Sequence, residues 1–510
     1  MEIEINEKFR ECLHLMENTR KNVFITGRAG TGKSTLLNYF RERTKKKAVV
    51  LAPTGVAAIN VNGQTIHSFF RLKPDVNLNS IKKLKGGERE LYRKLECIVI
   101  DEISMVRADL LDCVDKFLRL NRDIDKPFGG IQMIFFGDLY QLPPVVRGKE
   151  KEAFKKYYKS QYFFDSKVFK NFEIEFVELE KIYRQTDQKF IELLNSIRNN
   201  TISEEQLKII NERVDPDFKI PKDQLYVQLT TTNDLATRIN DSELSKIKKP
   251  LHEFEGKIKG DFGEQYLPTD VILRLKAGSQ IMLVNNDPDG RWVNGTVGKI
   301  TEIDDDYIEV ELIDGFKVEV GRYTWKVSEV FYNQDTDMIE SRTIGSFTQY
   351  PIKLAWAITI HKSQGKTFDR VAIDLGRGAF TPGQVYVALS RCKTLDGIVL
   401  RKPISKKHIF LDWKIVNFLT KYQYKISEKK LPLEKKIQII RDAIKNNSKL
   451  EIVYLKTNEE KSRRIIEPLK VGEMTYMGKS YIGVESFCHK AQDKRIFRVD
   501  RILEIRPRGE

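Results

Sequence analysis

Two groups of residues in this chain have the types and spacing for chemistry on phosphates. The first is GRAGTGKST, from Gly27 to Thr35, which fits the pattern G-x-x-x-x-G-K-[ST]. Such a loop wraps a nucleotide's phosphates. Gly27, Ala29, Gly30, Thr31 and Gly32 bring backbone N–H groups close, Lys33 neutralises the outer oxygens, and Ser34 and Thr35 open a helix of positive N-terminal potential. Ser34 supplies a hydroxyl for Mg²⁺. Asp101 and Glu102 end the apolar run CIVI; Asp101 can hold the same ion through water, and Glu102 can polarise an attacking water. Two acids after a strand are by themselves as readily an exposed edge; paired with the loop they read as the hydrolytic site of an NTPase that uses Mg²⁺. GDLYQLPPV (137–145) adds Gln141, which can meet a γ-phosphate or orient the water, ahead of a rigid Pro143-Pro144 turn. Arg184 in IYRQ and Arg391 in YVALSRC are candidates to steady charge from across a cleft, although an isolated arginine more often makes a surface ion pair.

The second group is LAWAITIHKSQGKTF, residues 354–368. An apolar run leads straight into His361, Lys362, Ser363, Gln364 and Gly365. His361 and Ser363 can donate to phosphate oxygens, Lys362 adds charge, Gly365 permits a close approach or unusual turn, and Gln364 can face the nucleotide cleft. A histidine on an apolar edge is more often structural than a ligand. Here the edge APTG (52–55), with Thr54 and Gly55, and His67 offer a matching rim. A reacting substrate, a nucleotide or a strand of nucleic acid could each sit at such an edge; for a strand, the groove would cross two lobes, with Phe69, Phe70 and Trp292 as base-stacking groups, although core packing is the commoner fate of the two phenylalanines.

Placing these residues requires strands that end where they begin. VFITG (23–27), AVVLAPTG (48–55), CIVIDEI (97–103) and QMIFFGD (132–138) read as buried strands separated by helices, which implies a parallel sheet covered on both faces. Ligands of such sheets bind at the strands' carboxyl ends. LYVQLTTTN, LAWAITIHKSQG, RVAIDLG and GIVL suggest a second lobe of the same kind. Between its first two strands, residues 251–345 have short strands and DPDG, DDD and DG turns, the texture of an inserted small β-barrel. KISEKKLPLEKK (425–436) reads as a linker to a basic tail with the strands of another barrel. Basic residues exceed acidic ones by 16, which favours a polyanionic partner without choosing it. Five cysteines with no C-x-x-C pair argue against a disulfide framework and fit a reducing compartment. The N-terminal stretch reads as an amphipathic helix rather than a signal peptide, and no apolar run reaches a membrane span. The expected setting is the cytoplasm, in a bacterial cytosol or nucleoid, with no membrane partner.

In order, GRAGTGKS, LAPTGVAA, TIHSFF, VIDEISM, FFGDLYQLPPV, YRQ, LTTTN, IHKSQGKTFD and YVALSR resemble the PIF helicase family, superfamily-one DNA helicases related to RecD. The resemblance covers about residues 1–420. It implies an α/β fold of two RecA-like P-loop lobes, over 1–175 (with a wedge insertion about 65–90) and over 176–250 with 346–425. The inserted barrel is placed at 251–345. It also implies ATP-driven 5′-to-3′ movement on single-stranded DNA and unwinding of tailed or forked duplexes, with G-quadruplexes and RNA–DNA hybrids as further partners. DNA repair, replication and telomere maintenance are the roles it suggests, for a chain that is monomeric without ligand. Lys33, Ser34, Asp101, Glu102, Gln141, Arg184 and Arg391 match the family's ATPase residues, and Gln364 and Gly365 fall with the nucleotide. Thr54, Gly55, His67, Thr231, Asn233, His361, Lys362 and Ser363 match its single-strand contacts. The glutamine with which many superfamily-one helicases read adenine has no counterpart, since no Gln occurs before Gln64; either ATP is not selected over other NTPs, or its base is read by other groups near Asn6 and Glu7.

Beyond a linker at 426–435, the tail (436–510) resembles a WYL domain. Val453-Tyr454-Leu455 stands for the naming triplet, and RRIIEP, YIGVESF and RIFRVDRI follow. Tyr454, Arg463, Arg464, Arg498 and Arg501 are its candidate ligand residues, with solvation of the barrel as the bland alternative. Two other readings of the whole chain are an ATP-gated regulator that senses a ligand through the tail and a RecD-like subunit of a nuclease complex.

Overall fold

The structure is a computed structural model that describes residues 5–73, 76–146, 150–221, 224–304, 306–376, 378–379, 381–456, 461–476 and 478–507. The chain forms two compact units, Met1–Ile197 with Ile202–Phe410, and Arg198–Thr201 with Leu411–Glu510.

The larger unit opens with six strands: β1 (Val23–Gly27), β2 (Ala48–Ala52), β3 (Gln64–Thr65), β4 (Cys97–Ile100), β5 (Gln132–Gly137) and β6 (Glu175–Leu179). Their order is β3-β2-β4-β5-β1-β6, and every pairing is parallel. β1, β4 and β5 are buried at every residue, which is why they read as unbroken apolar runs rather than alternating ones. Helix α1 (Glu7–Asn18) buries Phe9, Cys12 and Met16, one face at helical spacing, and the Asn6 side chain caps it by accepting from the Phe9 N–H. Helix α2 (Lys33–Arg43) buries Leu36, Leu37 and Phe40 into the same core. Helix α3 (Gly55–Asn60) follows β2. The first lobe's sheet extends past the expected boundary at 175, because β6 completes it beside β1 through Leu179.

The second lobe holds a four-stranded parallel sheet in the order Ala357–Thr359, Val227–Thr230, Val371–Ile373, Ile398–Leu400. The run LAWAITI, expected as one strand, is two. Ile352–Leu354 pairs antiparallel with Gln280–Leu283 of the insertion, and only Ala357–Thr359 joins the lobe. The insertion therefore reaches Leu354 rather than 345. It comprises a five-stranded antiparallel sheet, a two-stranded sheet, and a long hairpin, Tyr323–Asn333 with Met338–Gln349, joined by Lys257–Gly260. Phe69 and Phe70 are buried in an aromatic cluster with Tyr92 and Phe117. Trp292 is buried too, its indole N–H donating to Asn285 Oδ1 at 3.0 Å, so none of the three is exposed for base stacking.

The smaller unit begins with helix Trp413–Lys430, which runs through the expected linker, and helix Leu433–Lys445 follows after a two-residue break. Of the charged residues that suggested a linker, all but Lys436 are exposed. Gln423 and Ser427, one turn apart, are buried, and Ser427 Oγ donates to Leu503 O at 2.8 Å while accepting from Lys436 Nζ at 2.7 Å. The tail strands form a five-stranded antiparallel sheet, Asp493–Arg498, Lys479–Cys488, Lys461–Tyr476, Leu450–Leu455, Ile502–Pro507 in spatial order. Among the described residues no helix is long and apolar enough to cross a membrane.

Candidate nucleotide and polynucleotide site

β1 delivers the chain into the glycine loop, and α2 starts at Lys33. Gly30 has φ +81°, and a Cβ there would lie 2.5 Å from Arg184 Cβ, so only glycine lets the loop pass this close to the arginine. Lys33 Nζ donates to the carbonyls of Gly27 (2.8 Å) and Arg28 (3.0 Å). Burial pulls its pKa down; the Asp138, Glu102 and Asp101 carboxylates pull it up, and Arg184 pushes it down again. Ser34 and Thr35 are exposed. The Ala29 N–H donates to the Tyr386 hydroxyl at 3.0 Å, a bond between the loop and the second lobe.

Asp101 and Glu102 follow β4 directly. The Asp101 N–H donates to Leu51 O at 2.9 Å, which continues the ladder. Glu102 sits at φ +48°, ψ +43°, a left-handed conformation unusual for a residue other than glycine. Such strain is characteristic of functional positions. Burial raises both carboxyls: Asp101's charge adds to the rise at Glu102, and Lys33 opposes it at both. Asp138 is buried and accepts from the Tyr140 N–H (3.1 Å) and Gln141 Nε2 (3.2 Å). Gln141 Oε1 in turn accepts from Gln364 Nε2 at 3.4 Å, a second link between the lobes.

Arg391 is 1% exposed. It donates to Val387 O (2.9 Å), Ser390 Oγ (3.0 Å), Ser363 O (3.3 Å) and Lys366 O (3.3 Å). Arg184 Nη1 donates to Ser390 O at 3.3 Å. Burial lowers the pKa of each, and Arg184's charge lowers that of Arg391 further. Among the described residues, neither arginine nor Lys33 makes an ion pair with a carboxylate. Three cations from two lobes thus gather on neutral acceptors, an arrangement that a polyanion would complete. The exposed Ser34 hydroxyl and the Asp101 oxygens are hard donors of the kind Mg²⁺ takes together with phosphate oxygens.

The groove candidates divide. Thr54 is exposed and caps α3, accepting from the Ala57 N–H at 3.3 Å. Gly55 is buried, and a Cβ there would fall 2.1 Å from Gln265 O; it gives the insertion room to dock rather than presenting a surface for DNA. His67 and His361 are half-buried, with pKa values lowered mainly by burial, which keeps both imidazoles neutral around pH 7. Lys362 is exposed, Asn233 is exposed at the start of a helix, and Thr231 is half-buried beside it. Ser363 is 0% exposed, and its hydroxyl donates to Ile360 O at 2.7 Å. That hydroxyl is unavailable to a phosphate; the residue connects the segment to Arg391 instead. Gly365 is exposed at φ +76°.

The PIF1-like helicase family model matches residues 4–208, and the WYL domain model matches residues 435–507. ATP-dependent DNA helicase Pif1 of Bdellovibrio bacteriovorus is 32% identical over 436 residues, which are 83% of this chain and 93% of that protein. The chain belongs to the PIF1-like helicase family. Human ATP-dependent DNA helicase PIF1 is 35% identical over 391 residues, 74% of this chain, and the match spans 58% of the human protein. A crystal structure of Pif1 helicase from Bacteroides in complex with ADP-AlF3 and ssDNA is 39% identical with a TM-score of 0.61, over 83% of this chain and 98% of that one. The fold is accordingly the family's pair of RecA-like lobes with a β-rich insertion, followed by a WYL domain.

Within the WYL domain of this PIF1-like helicase, the candidate residues do not all meet. Tyr454 pairs with Ser462 and Val453 with Arg463, so alternation puts Arg463 on the opposite face from Tyr454. There Arg463 pairs with Glu451 at 3.2 Å. Arg464, on the Tyr454 face, lies 5.7 Å from the Phe497 ring centroid, with Nη1 3.5 Å from Cys488 Sγ. Arg498 is held by Asp500 at 2.7 Å. Among the described residues, the Nε atoms of Arg464 and Arg501 are buried without a hydrogen-bond partner.

Residues that pattern reading did not single out complete the nucleotide cleft. Tyr386 lies hidden in the apolar run QVYVAL. Buried Gln185 donates to Ser390 O (3.2 Å) and Cys392 O (3.1 Å), and it was legible only as Arg184's neighbour. Gly383 has φ +77°, and a Cβ there would lie 2.3 Å from Tyr140 O and 2.8 Å from Gln141 O. Gly383→Ala is expected to destabilise the fold by about 2 kcal/mol or more, since a strained backbone and a backbone clash add. It should also lower ATP turnover by displacing Gln141. Chemical unfolding and steady-state ATPase on one preparation check both.

Proposed function

We propose that this chain is an ATP-dependent DNA helicase that moves 5′ to 3′ on single-stranded DNA and unwinds tailed and forked duplexes, G-quadruplexes and RNA–DNA hybrids among its substrates. The observation that carries this reading is the cation set of Lys33, Arg184 and Arg391. It spans both lobes, and its most buried member rests on the carbonyls of Ser363 and Lys366, within the segment read as the polynucleotide rim. A change at the phosphates thereby reaches the rim through one side chain. The family's relatives support the substrate: the names of the bacterial and human proteins specify DNA and ATP, and the Bacteroides protein was crystallised with ssDNA and ADP-AlF3.

In this mechanism Lys33 and the loop N–H groups hold the phosphates, Arg184 and Arg391 close on them, and Glu102 takes the proton of the attacking water that Gln141 orients. Ser34, directly, and Asp101, through water, would hold Mg²⁺, which when bound would neutralise phosphate charge. Once the terminal phosphate leaves, the three cations repel one another, and the lobes part with Ser363 and Lys366. Thr54, His67, Thr231, Asn233, His361 and Lys362 grip the strand alternately from the two lobes. Each base step to be parted holds about 1.4 kcal/mol of stacking, so tight coupling, rather than energy, sets the demand. The five cysteines are free and buried, which suits a reducing cytosol or nucleoid, where the chain would act as a monomer before it meets DNA.

Duplexes with a 5′ or a 3′ single-stranded tail, offered with ATP, test the polarity. Strand separation is expected on the 5′-tailed substrate alone; equal or reversed preference removes the directional assignment. The same assay with quadruplex and hybrid substrates tests the wider range. We assign the WYL domain to modulate ATPase or DNA binding, because the Nε atoms of Arg464 and Arg501 are buried without a hydrogen-bond partner among the described residues. A chain ending at Phe410, where the larger unit ends, should differ from the full chain in DNA-stimulated rate. ATP turnover with no strand separation on any substrate would favour the ATP-gated regulator instead.

A further inference from the structure

We infer that Lys366 is a positioning residue that transmits the state of the polynucleotide groove to Arg391, acting through Asn294 of the insertion and Asn60 of the first lobe. The inference rests on the helicase reading above and adds the route by which DNA alters ATP turnover. Lys366 follows Gly365 directly. Its carbonyl accepts from Arg391 Nη1 at 3.3 Å. Its ammonium donates to Asn294 Oδ1 at 2.5 Å. Asn294 Nδ2 then donates to Asn60 Oδ1 at 2.9 Å, and Asn60 is the last residue of α3, the helix that Thr54 caps. Four residues therefore connect the cation of the nucleotide cleft to the helix behind the first lobe's rim, by way of the insertion.

The connection is specific in its geometry. The Lys366 stem lies along Gly295, at which a Cβ would stand 3.4 Å from Lys366 Cβ and Cγ, so the stem packs against the residue next to Asn294. Asn294 is itself held, its N–H donating to Asn286 Oδ1 at 2.8 Å. Among the described residues Lys366 has no carboxylate partner, and burial together with Lys353 brings its pKa down to about 8. A cation kept in that environment on an amide oxygen alone weakens the fold, so stability does not account for its placement. Asn60 belongs to α3 and Lys366 to the second lobe, so a shift of one lobe against the other acts on Asn294, which bonds to both. An element biased from two sites in this way is what energetic coupling requires.

The test uses the full chain and measures ATP turnover with and without a saturating thymidine oligonucleotide. In Lys366→Met the basal rate is expected to stay within about twofold of the parent, while the maximal stimulation by DNA falls about tenfold, within the range for coupling between sites. Lys366→Arg, which keeps a long cationic donor, should recover most of the stimulation. Asn60→Ala should show the same loss, and the double variant Asn60→Ala/Lys366→Met should lose no more than either alone, since residues on one route are not additive. Intact maximal stimulation in Lys366→Met overturns the inference. If the half-stimulating oligonucleotide concentration then rises about tenfold, Lys366 is a DNA ligand. Additive losses, or equal falls of basal and stimulated rates with a lowered melting temperature in both Lys366 variants, also overturn it, in favour of simple packing. A parent chain that hydrolyses ATP with no response to DNA defeats the helicase reading first.

Discussion

Changing Lys33 to alanine is expected to cut DNA-stimulated ATP turnover by about a thousandfold, the upper range for removal of one preorganised donor to developing charge. Before nucleotide binds, the ammonium is held by the Gly27 and Arg28 carbonyls at 2.8 and 3.0 Å. Those are neutral acceptors for a cation that burial already disfavours, and phosphates would replace them with full charge. Without the ammonium, two carbonyls would face the phosphates uncompensated. The loss should not be a folding defect. A lysine whose folded-state pKa lies below its unfolded value weakens the fold at every pH where the unfolded form is protonated, and that penalty vanishes only above the unfolded value. At neutral pH the alanine variant is therefore expected to melt no lower than the parent. What it should lose is stabilisation by a non-hydrolysable ATP analogue, about 2.7 kcal/mol for the parent at a hundredfold excess over Kd. Oligonucleotide affinity should hold, because Thr54, His361 and Lys362 are untouched. Turnover near the parent's level would mean that the loop does not bind phosphate.

How far the sequence revealed this arrangement depended on how local each signal was. GRAGTGKST was legible because glycines, lysine and helix start are consecutive and the preceding VFITG is buried at every residue. The strand-end acids were legible for the same reason. Sheet membership was not. LAWAITI looks continuous, yet its first half pairs with the insertion and its second with the lobe, a division set by partners about 70 and 130 residues away that no local period records. Polar residues in a promising segment also mislead about exposure. Ser363 sits between exposed Lys362 and half-buried Gln364, yet one turn of backbone points it inward, where its own chain satisfies it at Ile360 O. Glycines carried a further ambiguity: Gly55 and Gly383 are required by backbone from distant segments, Gln265 and Tyr140. In the tail, a run of lysines and glutamates read as a linker because buried Ser427 and Lys436 carry no apolar signal.

Arg391 should show the second large effect, and its environment separates charge from packing. Arg391→Ala is expected to lower kcat by about 10³–10⁵, the span associated with an arginine that steadies the transferred phosphoryl group. Arg391→Lys should be nearly as damaging. The guanidinium serves Val387 O, Ser390 Oγ, Ser363 O and Lys366 O together, and one ammonium with three donors cannot hold that set and also reach a phosphate. KM for ATP should change little in the lysine variant, because Lys33 and the loop still bind the ground state; a fall in kcat without a rise in KM marks a contact made in the transition state. Loss of DNA stimulation should accompany it, since two of the four acceptors belong to the rim segment. A purely structural arginine predicts the opposite pairing: a melting temperature lowered by the unsatisfied carbonyls, with kcat per folded molecule retained. Burying a cation without a carboxylate is unfavourable for the fold, so a residue kept there for stability alone would be better replaced by an apolar one, and the measured split between kcat and melting temperature decides which demand put it there.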